Sequence, residues 1–252
     1  MPKIAIGADD LAALYVGEEE VIAAYVGAEQ VYEKAGAGLT PGDVAGLQFW
    51  FRSDMGVTQS EGLLSGWGDL SGLDRHLSSS GGGRPAFSAA GGPNGLPAIV
   101  ADGSDWMDSA SFALAQPIHV FMVIRIDSYA NNDRVLALAT SSEAVGMTGS
   151  ALMQNFGSAG GNTISPSTGV WCLVESYCNG ASSYMRLNGG AKSDGTNPGT
   201  NAISSGITLF NRPQHDRPAA CAVAEIAMYN AEITGDGLAA LMGYFSSRYG
   251  LF

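Results

Sequence analysis

Three aspartates in the stretch DGSDWMD, Asp102, Asp105 and Asp108, are the residues whose type and spacing best suit a metal ion. Calcium takes clustered carboxylate oxygens from loops. The competing role is a plain turn, because Asp-Gly-Ser after an apolar run also ends a strand. A second set lies in NRPQHDRP, residues 211–218, where Asn211, Arg212, His215, Asp216 and Arg217 stand close together. With Trp106 they make the side-chain set that sugar contact calls for: an aromatic face for the apolar side of a ring, and amide, carboxylate and guanidinium groups for its hydroxyls. Two arginines and a histidine in a chain of formal net charge −12 form a local reversal suited to acidic sugars. The competing roles are a solvated loop for 211–218 and a core position for Trp106.

Other chemistry lacks its residues. The three histidines, His76, His119 and His215, fall in no HExxH or histidine–cysteine metal spacing, and no GxSxG elbow or GxxxxGK phosphate loop occurs. A retaining glycosidase needs two carboxyl groups about 5 Å apart, and no strand-like run offers two acids at alternate positions in a plausible cleft. The expectation is therefore a protein that is not an enzyme and takes no cofactor, with calcium at Asp102, Asp105 and Asp108 as the one candidate ion. The negative charge also counts against nucleic acid and anionic membranes. No run approaches the ~18 apolar residues of a membrane span, and MPKIAIGADD lacks the apolar centre of a secretion signal. Cys172 and Cys178 lie on one strand-like run, too far apart to pair, so buried free thiols are expected there and at Cys221.

These residues need a scaffold, and composition suggests which. Charged residues are 14% of the chain against roughly 25% in ordinary domains, and glycine is frequent at 35 of 252, which favours many strands joined by many loops. Strands are expected at 47–52, 97–102, 118–127, 134–139, 151–156, 169–178, 183–188 and 206–210, with 78–95 a glycine-serine loop. Ile118, Val120, Met122, Ile124 and Ile126 share one face and read as core. The run CAVAEIAMYN, residues 221–230, reads as a strand covered on both sides, with Val223 and Tyr229 on one face and Ile226 and Met228 on the other. A helix near 235–248 follows, capped by Thr234, striped by Leu238, Leu241, Met242 and Phe245, and closed by Gly250. Absence of crossover helices gives an all-β antiparallel β-sandwich with a short C-terminal helix. Residues 1–34 carry a ten-residue repeat, AIGADDL, YVGEEEV and YVGAEQV, expected as a four-stranded meander near 3–6, 11–16, 21–26 and 31–34. So short a sheet lacks a core and needs a partner. The glycine-rich linker before Pro41 divides the chain into 1–37 and 38–252.

The run AEIAMYNAEITGDGLAALMGYFSSRYG resembles the C-terminal signature of concanavalin A-like, laminin G-like jelly rolls in bacterial surface and bacteriophage virion proteins. LQFWFRSD, WGDLSGLDRHL, GLPAIVADGSDWM and HVFMVIRID are similar pieces in the expected order, and the Tyr-Val-Gly repeat resembles N-terminal modules of phage tail proteins. The resemblance implies a virion structural protein of fibre, spike or decoration type. Its residues 1–37 would bind other virion proteins or copies of themselves, a trimer being one arrangement, and its outward sandwich would adhere to host surface glycan. A polysaccharide-cleaving enzyme and a bacterial surface adhesin are the alternatives on the same fold.

Overall fold

The computed structural model describes residues 15–16, 19–20, 23–26, 29–33 and 39–252 apart from 140–141 and 158–159. The chain divides into two compact units, Met1–Leu39 and Thr40–Phe252. In the first, Tyr15–Val16 pairs antiparallel with Glu19–Glu20, and Ala23–Val26 with Glu29–Glu33. Val16 faces Glu19 and Val26 faces Glu29, so Glu19–Glu20 and the start of Glu29–Glu33, expected between strands, are themselves in strands. The strand expected at 3–6 lies outside the described residues.

The second unit is the expected antiparallel sandwich, and its central strand is Ala220–Tyr229. Ten residues without glycine or proline let it take neighbours on both edges. Ile118–Ile126 runs along one edge, while Ala98–Asp102 and Leu47–Arg52 share the other. Trp171–Cys178 and Tyr184–Leu187 extend the sheet beyond Ile118–Ile126. The run 78–95 is more ordered than a loop: Ala86–Ser88 is a strand pairing with Ala98–Asp102, flanked by single 3-10 turns.

One expectation about the central strand is corrected. Pairing with Ile118–Ile126 jumps from Val123–Glu225 to Ile124–Val223, leaving Ala224 as an extra residue. Such a bulge resets the alternation of faces. Val223 therefore joins Ile226 and Met228 in the main core, with Ile118, Val120, Met122, Ile124 and Ile126, while Tyr229 faces the other side. On that side Phe121, Val123, Leu173 and Tyr229 meet Leu241, Phe245 and Tyr249 of the helix Gly235–Tyr249. Thr234 holds the cap position with extended backbone and no side-chain bond, and Gly250 ends the helix at φ +61°, where a side chain would be strained. Cys172, Cys178 and Cys221 are buried free thiols. Burial pushes the Cys172 and Cys178 thiols up to about 12, which keeps them as inert apolar fillers.

Candidate functional site

The two loops singled out in the sequence meet at one rim of the sandwich. The strand Met107–Ser109 pairs with Thr208–Leu209, and this places 102–108 against 211–217. Trp106 and His215 stack with ring centroids 4.3 Å apart and planes 19° from parallel. His215 Nε2 lies 2.8 Å from Asp108 Oδ2, and Thr208 Oγ1 donates to Asp108 Oδ1 at 2.7 Å. The indole also rests on Gly83: a Cβ at that position would fall 1.8 Å from the ring, so only glycine leaves room for it. Trp106 is half-buried, open enough to touch a ligand and packed enough to hold its angle. A concavity of about 230 Å³ lies beside this rim, lined by Gly81, Gly82, Arg84, Asp102, Ser104 and Asp105 among others.

The remaining residues of the set have other tasks. Asn211 is fully buried; its Oδ1 accepts the backbone N–H groups of Arg212 and Arg217, and its Nδ2 donates to the Asp105 carbonyl. It shapes the loop rather than facing out of it. Arg212 forms a two-point pair with Asp216 at 2.5 and 2.7 Å, which holds the Asp216 carboxyl below its ordinary range. Arg212 is thus matched within the loop, and His215 is met by Asp108 from the strand Met107–Ser109. Arg217 lends its carbonyl to the N–H of Arg134.

The three aspartates of the candidate calcium site are engaged as follows. Asp102 Oδ1 accepts both the N–H and the hydroxyl of Ser104, a turn that lowers its pKa. Asp105 is buried, accepts the N–H of Asp102, and is pushed up by that burial. Asp108 is engaged by Thr208 and His215. Among the described residues no three His, Cys, Asp or Glu side chains gather to hold a metal.

Two buried carboxylates lie on the helix side of the sheet. Glu225 on the central strand accepts Trp50 Nε1–H at 2.5 Å, the Tyr249 hydroxyl at 2.5 Å and the Tyr244 hydroxyl at 3.0 Å. Burial outweighs those bonds and raises its pKa. It is sealed from solvent and fastens the helix to the sheet. Glu175 was not singled out. It accepts two bonds from Arg186, at 2.6 and 2.8 Å, and one from the Tyr184 hydroxyl at 3.0 Å. His119 Nε2 lies 3.0 Å from it. His119 Nδ1 accepts the N–H of Ile233, so the ring proton sits on Nε2 and points at Glu175. Burial lowers the His119 pKa and keeps the ring neutral. For Glu175 burial is the largest single influence and opposes ionisation, yet the bonds from His119 and Arg186 together carry its pKa below the ordinary value. The available signal was His119 in the apolar run HVFMVIRI and Glu175 in the apolar run WCLVESYC, but only the register shows that they meet.

No protein-family model matches the chain, and neither does any curated protein sequence. Solved structures do match. Trypanosoma rangeli sialidase, in complex with the inhibitor DANA, is similar over 79% of this chain and 33% of its own, with 12% identity and a TM-score of 0.55. Domain 4 of AbnA, a GH43 extracellular arabinanase from Geobacillus stearothermophilus, in complex with arabinotriose, is similar over 75% of this chain and 94% of its own, with 14% identity and a TM-score of 0.55. A mutant GH54 α-L-arabinofuranosidase soaked with 4-nitrophenyl α-L-arabinofuranoside is similar over 74% of this chain and 51% of its own, with 13% identity and a TM-score of 0.54. The chain thus spans about one third of the sialidase's length. At these identities the likeness establishes the fold. It also corrects the expectation that this protein is not an enzyme. Absence of a carboxylate pair on one strand was the ground for that expectation, and the same fold occurs in a sialidase and in an arabinofuranosidase.

Proposed function

We propose that residues 40–252 are the carbohydrate-recognising sandwich of a carbohydrate-active protein. The rim carries this reading: an indole held at a set angle by His215 and Gly83, with Asp108 and Thr208 beside it and a concavity next to it. A saccharide offers an apolar ring face and hydroxyls that both donate and accept, and this rim has a group for each. Support comes from the likeness to domain 4 of the arabinanase, which is matched over nearly its whole length and is bound to arabinotriose. Cleavage of glycosides is the second reading. It draws on the sialidase and arabinofuranosidase likenesses, and they favour it over a purely structural virion part. Placement on a bacteriophage particle draws only on the sequence resemblance. In that version residues 1–37 seat the protein on its neighbours, and several sandwiches per particle multiply weak contacts with host glycan.

An array of defined oligosaccharides tests the proposal. Binding to at least one glycan is expected, at least ten-fold weaker in Trp106→Ala and in His215→Ala. Gly83→Ala should act like Trp106→Ala, because it moves the ring without removing it. Glycan binding unchanged in all three variants removes the rim from the site. Shortened products after incubation identify cleavage.

A further inference from the structure

A larger cleft shares no residue with the rim. It measures about 460 Å³, within the ~300–1,000 Å³ of ordinary ligand clefts, and is lined by Ser182, Tyr184, Lys192, Asp194 and Glu232 among others. Each of its polar walls is anchored to the layer beneath. Ser193 exchanges both backbone hydrogen bonds with Met185, at 2.7 and 2.9 Å, which clamps the 192–194 strap to the sheet edge. Lys192 and Asp194 flank that residue, and in extended chain such neighbours point to the same side. Glu232 precedes Ile233, whose N–H is fixed on His119 at 3.0 Å. The Tyr184 hydroxyl is fixed on Glu175, so its ring cannot turn away. Lys192 Nζ lies 3.6 Å above that ring and 3.6 Å from Glu232.

The buried Glu175–His119–Arg186 cluster acquires a purpose from this arrangement. Burying ions costs stability that a well-packed apolar cluster would not. Here the same cluster positions two walls of one cleft, through Tyr184 and through Ile233. We propose that the cleft binds a neutral saccharide unit, with Asp194 and Glu232 accepting its hydroxyls and Lys192 donating to one. Two carboxylates against one ammonium leave a net negative field, which turns acidic sugars away. Two acceptors and one strong donor around a ring of hydroxyls suit a neutral one. The inference rests on the carbohydrate reading above but uses other residues, so the two can fail separately.

The test is an array of neutral oligosaccharides, arabinotriose included, beside uronate- and sialate-bearing ones, followed by titration of the strongest ligand. Neutral glycans are expected to lead. The double variant Asp194→Asn, Glu232→Gln is expected to weaken the leading one at least ten-fold. Its thermal melt should be unchanged, since all these side chains are exposed. Lys192→Met should weaken it less. Binding that survives the double variant but is lost in Trp106→Ala overturns the cleft and keeps the rim. A preference for acidic glycans overturns the cleft as well. No binding by any glycan overturns both.

Discussion

Glu175 and Glu225 are both buried on strands of one sheet, yet they are pushed in opposite directions. Glu175 meets a guanidinium at two points and an imidazole N–H, and its pKa is lowered. Glu225 meets an indole and two phenols, with Arg248 Nε no nearer than 3.7 Å, and its pKa is raised. Neither is reached by solvent, but Glu225 is the more deeply packed and lacks a close cation: the Arg186 guanidinium keeps Glu175 ionised, and neutral donors leave Glu225 to the desolvation penalty. One carboxylate is an ionic knot under a polar cleft. The other is a hydrogen-bonded rivet under a helix.

The comparison is broken most forcefully by removing the cations. Arg186→Met should cost about 3–5 kcal/mol, because it strands a buried carboxylate. Arg248→Met should cost nearer 1 kcal/mol, since Glu225 keeps its neutral donors. Chemical denaturation of both variants measures this, and equal losses would mean that the two carboxylates are alike.

A smaller effect sharpens the contrast through pH. An unfolded Glu titrates near 4.3. Below that value the folded Glu175 still resists protonation, so its stabilisation is present above about 4.3 and is lost as pH falls through its lower folded pKa. For Glu225 the native state holds its proton longer than the unfolded chain. Its contribution therefore declines as pH rises from about 4.3 through its higher folded pKa. In thermal melts across this range, the deficit of Glu175→Gln relative to the parent should grow with pH and that of Glu225→Gln should shrink. Slopes of the same sign would contradict the assignment.

The smallest effect belongs to the exposed pair Arg212–Asp216. Solvent screens such pairs, so Arg212→Ala should leave the melting temperature essentially where it was. A clear drop would show that the 211–217 loop depends on this pair rather than on buried Asn211.

Much of the fold was legible in the chain because it depends on near neighbours. Alternation placed Ile118, Val120, Met122, Ile124 and Ile126 in one core, and a 3.6-residue stripe placed Leu241 and Phe245 against the sheet. Glycine ended the helix where expected. The closing strand shows where such reading stops: one unpaired residue at Ala224 reverses its faces, and only the neighbouring strand reveals it. The rim loops could be named but not their contacts. His215 and Asp108 are 107 residues apart, and what joins them is strand pairing. That pairing also set the loop's histidine against a carboxylate from the facing strand. Glu175, Lys192, Asp194 and Glu232 were invisible as a group, since each is a single polar residue in a local context of its own. Local sequence determined which segments became strands, turns and helix, because backbone preference and side-chain period act over a few residues. The tertiary structure decided which carboxylate met a cation and which polar groups shared a cleft, because those contacts join segments whose meeting is set by sheet register.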